Sequence, residues 1–254
     1  MLYAINGVWG DFYRPPVLLF SIIRRSFFMV PHRVISIFSR WLALVVGLFF
    51  MGFGVCLIIK SNLGTSPISS VPLILSYIFP LSLGAFTFLL SLLFIFLEII
   101  IAVTDFKSII FFQLFVGPVF GFFIDICMIL FGKINVTYYP SKLFILLLGC
   151  IVLSLGIVIQ VKANVVMNPG EGLVRAIAKK TNRKFGTIKT LFDSSLVIIA
   201  FMLSLLFLHG VNGIREGTII SAIIVGFLTK WINGLLLHFA EKKSSFISPR
   251  GASF

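Results

Sequence analysis

Apolar residues gather into long runs separated by short polar breaks. Six stretches, 41–60, 84–103, 109–131, 142–161, 186–208 and 217–239, each hold close to a full membrane span of predominantly apolar residues. A helix needs roughly 20 such residues, at about 1.5 Å rise each, to cross about 30 Å of hydrocarbon. Two further segments fall short. Residues 67–79, PISSVPLILSYIF, are apolar but interrupted by proline, and 169–180, PGEGLVRAIAKK, are amphipathic and end in charge. The pattern predicts an all-α, polytopic helical membrane protein. If the short segments cross there are eight passes, with 104–108 outside and 132–142 inside. If they re-enter or lie flat there are six, and those two loops exchange sides.

Composition narrows the class. Of the 254 residues, 59% are hydrophobic and 11% charged, against about 25% charged in a soluble domain. Too little charge is present to coat a water-facing surface, which excludes a soluble enzyme, a disordered chain and a disulfide scaffold. The net charge of +13 is placed as a membrane protein places it. Arg14, Arg24, Arg25, Arg33 and Arg40 precede the first run; Lys179, Lys180, Arg183, Lys184 and Lys189 lie between two later ones; Lys242, Lys243 and Arg250 lie in the tail. By the positive-inside rule these three groups, and both termini, are cytoplasmic, and the basic partner is anionic lipid rather than nucleic acid. Cys56, Cys127 and Cys150 all fall inside apolar runs, where no disulfide framework is expected.

The chain therefore divides into a basic leader (1–40), two membrane units (41–131 and 142–239) and a tail (240–254). In the leader, VLLFSII is too short for a signal-peptide core and no A-x-A-like site follows it. Met29 stands just before the basic flank PHR, so translation starting at Met1 and at Met29 are both open.

The two membrane units share a pattern at an offset of 102. Leu44 matches Leu146, Gly47 matches Gly149, Gly54 matches Gly156, Lys60 matches Lys162, Asn62 matches Asn164, Pro67 matches Pro169, Gly84 matches Gly186 and Leu89 matches Leu191. With a three-residue gap, Gly121-Phe122 aligns with Gly226-Phe227. Leu and Gly coincidences arise cheaply in membrane sequence, but a repeated Lys-x-Asn-x4-Pro does not. Two sequence-related halves are expected, each with three long spans plus one short half-helix. An odd number of crossings per half would invert the repeats, and an even number would make them parallel.

The aligned break reads as a pair of helix starts. Ser66-Pro67 gives an N-cap serine and proline at the first helical position; Asn168-Pro169-Gly170-Glu171 gives an N-cap asparagine, the same proline and a capping-box carboxylate. Glu171 also stands four residues before Arg175, in the favourable order for a helical ion pair. A helix start carries unpaired N–H groups and partial positive charge. Two of them facing one cavity would hold an anionic or zwitterionic solute, with Asn62 and Asn164 supplying donors and acceptors. Irregular backbone at membrane depth occurs where it lines a cavity or is buried in protein. The competing reading is ordinary loop punctuation. Asn62, Ser66, Pro67, Asn164, Asn168, Pro169, Gly170 and Glu171 are the candidate substrate-binding residues.

NLGTSPISSVP at 62–72 and NPGEGLVRAIA at 168–178, followed by Leu83-Gly84 and Phe185-Gly186, resemble the YczE/YyaS/YitT family of bacterial membrane proteins over about 40–240. The resemblance implies a multi-pass protein of the bacterial inner membrane and no established activity.

Of the remaining ionisable residues, Glu98 and Asp125 lie late in their spans and are expected at the interface, whereas Asp193 sits deeper, beside Ser194 and Ser195, in a helix-bridging or ion-coupling position. Gln113 and Gln160 read as helix–helix glue. His32, His209 and His238 are too dispersed for a metal set. Neither His-Glu-x-x-His, Gly-x-Ser-x-Gly nor a phosphate-cradling Gly-x-x-x-x-Gly-Lys-Ser/Thr occurs, so no catalytic residue, metal or cofactor is assigned. The expectation is a transporter or permease for a small anionic or zwitterionic solute. The alternative is a non-transporting accessory protein that acts through a protein partner.

Overall fold

The computed structural model describes residues 37–102, 107–132, 136–210 and 213–247, with backbone alone at 37, 102, 107–111 and 236–247. The leader up to residue 36, with the choice between Met1 and Met29, and the end of the tail lie outside the described residues. Within them the chain forms α1 (Ile37–Lys60), α2 (Pro67–Ile78), α3 (Leu83–Ala102), α4 (Lys107–Leu130), α5 (Tyr139–Ala163), α6 (Pro169–Lys180), α7 (Phe185–Leu208) and α8 (Glu216–Ile247). Six of these, all but α2 and α6, are long and apolar enough to cross a membrane.

The two short helices begin where their prolines require. Each has proline in its first turn, where a missing N–H costs nothing. Ser66 and Asn168 take the N-cap positions in extended backbone, but neither side chain makes the expected capping bond. Ser66 Oγ instead donates to Ser69 Oγ at 2.9 Å, which turns the hydroxyl away from the first-turn amides. From Pro67 to Pro169, and again from Ile78 to Lys180 and Leu83 to Phe185, the boundaries recur 102 positions later.

Packing fixes the helix directions. Gly47 of α1 lies against Gly156 of α5, and Gly54 lies against Gly149, so α1 and α5 run antiparallel. In the α3–α4 hairpin Gly84 meets Gly121 and Ser91 meets Gly117. Helices α1 and α4 run parallel, through Trp41–Phe112 at 5.5 Å, Phe49–Phe123 at 5.5 Å and Phe53–Phe131 at 5.1 Å between ring centroids. Two full-length passes, α3 and α4, therefore separate the antiparallel α1 and α5. The short α2 adds no crossing, which fits six passes rather than eight. The ends of α1, α4 and α7 and the starts of α3, α5 and α8 share one face of the bundle, where Lys60 Nζ donates to the Gly132 carbonyl at 3.2 Å.

Two apolar cores result. Leu48, Val55, Ile58, Ile124, Leu146 and Leu153 join α1, α4 and α5, with α8 alongside. Ile74, Phe94, Leu173, Leu196 and Ala200 join α2, α3, α6 and α7. Helix α2 packs on α7 and α6 packs on α3, so each short helix lies against a long helix of the other half of the chain. Between lipid-like surfaces the hydrophobic effect does not drive helix association; close van der Waals approach at small residues does. The glycines of the α1–α5 and α3–α4 seams supply that approach. Gly186 of α7 and Gly226 of α8 have no atom within 4 Å of where a β-carbon would stand, so neither sits at a close helix–helix approach.

Candidate functional site

The first break starts with Asn62 in left-handed backbone (φ 55°), its N–H bonded to the Ile59 carbonyl at 3.0 Å. Asparagine tolerates that conformation better than other side chains with a β-carbon and commonly ends helices there. The next residues are tied to the start of α8. Gly217 N–H donates to the Leu63 carbonyl at 2.8 Å, Thr65 N–H donates to Thr218 Oγ1 at 3.1 Å, and Ser221 Oγ donates to the Thr65 carbonyl at 3.0 Å. The irregular backbone is thus satisfied from a neighbouring helix, as burial demands. Beside it lies a cavity of about 550 Å³ whose walls include Asn62, Gly64, Tyr77, Lys142, Leu208 and Arg215. Among the described residues two cations and no carboxylate line it. Glu216 stands next to it, its Oε2 at 3.6 Å from Arg215 Nε in a half-exposed pair.

The second break has the same start. Asn164 is left-handed (φ 49°) and donates its N–H to the Val161 carbonyl at 3.2 Å. The first turns of α2 and α6 come together: a β-carbon on Gly170 would stand 2.5 Å from Ile68 Cδ1, with Phe94 close behind. Ser66, Asn168, Pro169 and Gly170 are buried there, while Pro67 is half-buried. Apolar side chains fill the meeting point, and of the eight candidate binding residues Asn62 is the one that lines the cavity. Glu171, half-buried on α6, lies within electrostatic reach of Lys189 and Asp193 on α7. Asp193 pairs one turn back along its own helix, with Lys189 Nζ at 2.7 Å.

Glu98, late in α3, is covered by protein: it is 5% exposed and Gln113 is 1% exposed, because α6 covers the α3–α4 seam at that level. Gln113 is the hydrogen-bonding neighbour of the Glu98 carboxyl, and Arg175 of α6 is the charge that faces it. Arg175 itself is 9% exposed, and its Nη1 lies 4.0 Å from Met167 Sδ. Gly172 makes the contact feasible, since a β-carbon there would collide with both Gln113 Nε2 and Glu98 Oε2. Asp125 closes the other end of the same hairpin, accepting from Ser82 Oγ at 2.6 Å and from the Gly84 N–H at 2.7 Å. Lys142 and Arg215 were not singled out as ligand contacts from sequence, because they reach the first break only through the start of α5 and the α7–α8 connection. The three cysteines are buried and free, and among the described residues no group of three or more His, Cys, Asp or Glu is placed to hold a metal.

No curated protein matches the chain. No solved structure matches it either. The likeness to the YczE/YyaS/YitT family rests on the two break motifs alone. A sequence profile does match, over residues 38–234, and covers all six long apolar helices at least in part. The chain belongs to that profile's family, DUF6198, a family of unknown function.

Proposed function

We propose that the protein is a bacterial inner-membrane transporter or permease for a small anionic or zwitterionic solute, received in the cavity at the first break. The observation that carries this reading is the cavity wall: Asn62, Lys142 and Arg215 converge there, with no lining carboxylate among the described residues. Lys142 is half-buried and Arg215 exposed, and a basic side chain partly withdrawn from water favours an anionic group more strongly than it would in bulk solvent. A zwitterion would add its ammonium beside Glu216.

The fold supports a duplicated, inverted design. Gly47 and Gly54 of α1 meet Gly156 and Gly149 of α5, and the short helices exchange long-helix partners between the halves. Such pairing is what a two-fold axis in the membrane plane would produce, and transporters built this way bind solute at interrupted helices. With Lys179, Lys180, Arg183 and Lys184 cytoplasmic by the positive-inside rule, both termini are cytoplasmic and the cavity opens on the opposite side. The second break then faces the cytoplasm.

The test is thermal unfolding of detergent-purified protein against a panel of small anions and amino acids. Wild type is run beside Lys142→Gln/Arg215→Gln and Asn62→Ala/Asn164→Ala. A ligand at about 100 times its Kd stabilises by about 2.7 kcal/mol, and the shift is expected in wild type and lost in the Lys142/Arg215 variant. An equal shift in both would remove the cavity from the argument. No shift with any compound, together with a co-purifying protein, would favour the accessory-protein reading.

A further inference from the structure

The wall of the first-break cavity is as apolar as it is basic. Ile59 of α1, Leu73 and Tyr77 of α2 and Leu208 of α7 line it together with Lys142 and Arg215. The connection that carries Arg215 lies on this apolar side: a β-carbon on Gly213 would stand 3.1 Å from Leu73 Cδ2 and 3.2 Å from Tyr77 Cε2. Charge and apolar surface are therefore neighbours. Tyr77 is 51% exposed, which leaves area on its side chain for an occupant to cover. At about 550 Å³ the space falls within the range of about 300–1,000 Å³ that organic ligands occupy. An inorganic anion held by Lys142 and Arg215 would fill a small part of it and leave the apolar wall wet.

The charge balance limits the ligand further. Lys142 and Arg215 face the cavity, and Glu216 Oε2 stands 3.6 Å from Arg215 Nε. Together these three groups carry a single net positive charge. One carboxylate neutralises it, whereas a dianion such as a phosphate ester leaves an excess negative charge in a partly dehydrated space, which is costly.

We propose that the solute is a monovalent organic acid with a compact apolar or aromatic body. Its carboxylate lies between Lys142 and Arg215, and its body covers Tyr77 and Leu73. This rests on the anion-cavity reading above and names its substrate class. Binding then has two separable parts. The carboxylate orients the solute, and the body adds affinity in proportion to the apolar area it removes from water, roughly fourfold per buried methylene. Inorganic phosphate and sulfate lack the second part, and a neutral amide of the same shape lacks the first.

Ligand-observed NMR of the full chain in lipid nanodiscs, at constant ionic strength and with empty nanodiscs as the blank, tests this. The probes are acetate, butyrate, hexanoate, benzoate, benzamide and inorganic phosphate. Affinity is expected to rise from acetate to hexanoate by roughly fourfold per methylene, and benzoate should bind more tightly than acetate, phosphate or benzamide. Tyr77→Ala should weaken benzoate by about two- to tenfold and acetate far less; Tyr77→Phe, which keeps the ring, should restore benzoate and so guards against a folding effect. Equal affinity along the acid series, phosphate tighter than benzoate, or benzoate unmoved in Tyr77→Ala overturns the substrate class and leaves the anion cavity standing. Benzamide equal to benzoate, a chain-length series that survives in Lys142→Gln/Arg215→Gln, or no binding of any anion to folded protein overturns the cavity reading and this one with it.

Discussion

Gly47 and Gly156 face each other across the α1–α5 crossing, where a β-carbon on Gly156 would stand 2.8 Å from the Gly47 carbonyl oxygen. Gly54 and Gly149 do the same one crossing-point away, at 3.0 Å. The offset of 102 pairs Gly47 with Gly149 and Gly54 with Gly156, so each glycine meets the counterpart of the other. This exchange makes the seam self-complementary, as in an isologous two-fold contact.

The seam should tolerate no larger residue. Gly54→Val and Gly156→Val are expected to lose about 2–3 kcal/mol, the scale of overpacking in a tight core. Gly186→Ala and Gly226→Ala, which meet nothing, are expected to be neutral or to gain about 0.5–1 kcal/mol from helix propensity. Reversible unfolding in mixed detergent measures all four. Equal destabilisation at the two kinds of site would refute the packing argument.

The paired asparagines have a backbone role that can be separated from a ligand role. Asn62→Gly is expected to keep stability within about 0.5 kcal/mol, since glycine accepts the left-handed conformation, while Asn62→Val should cost about 1–2 kcal/mol. If Asn62→Gly is stable yet loses the anion-dependent thermal shift, its side chain contacts solute. If the shift survives, Asn62 serves the turn alone.

Much of the fold was legible because its signals are local. Pro67 and Pro169 marked the helix starts to the residue, and the apolar runs gave six long helices whose ends move by a few positions, apart from the longer α8. The cover over Glu98 was illegible for a physical reason: position along a span gives distance from the helix end, but not which neighbour packs on that face. Arg175 and Gly172 cover it from another helix, roughly 75 residues away in sequence. The cavity was illegible for a similar reason, since Lys142 and Arg215 join Asn62 only after three distant connections come together. The asymmetry between the two halves was hidden in plain residues. At the positions aligned with Ser82 and Asp125 stand Lys184 and Lys230, which cannot form the same acceptor tie.

That tie is itself testable. Asp125→Ala removes the acceptor of both the Ser82 hydroxyl and the Gly84 amide, and charge-assisted bonds of this type contribute about 1.5–3 kcal/mol each at most. The expected outcome is a total loss of about 2–3 kcal/mol and faster hydrogen exchange over residues 82–86. Asp125→Asn should recover part of both. Unchanged exchange in the alanine variant would show that the α3 start is held by packing alone.

Sidedness gives a further outcome. Cysteines introduced at Ser82 and Tyr138 should react with a membrane-impermeant maleimide from one face, and one at Thr181 from the other. The native Cys56, Cys127 and Cys150 are buried and should give low background. Labelling of Ser82 and Tyr138 from opposite faces would contradict the antiparallel arrangement of α1 and α5, and labelling of all three from one face would mean that α6 crosses.

The bonds from Gly217, Thr218 and Ser221 to the 63–65 segment also constrain biosynthesis. The first break emerges from the ribosome early, whereas its partners belong to α8, made only after four further long helices. Until that span arrives, Leu63 and Thr65 must keep their peptide groups hydrated or borrow partners from the insertion machinery. The nascent chain therefore carries an unfinished joint until α8 is made, and entry of that helix seals it.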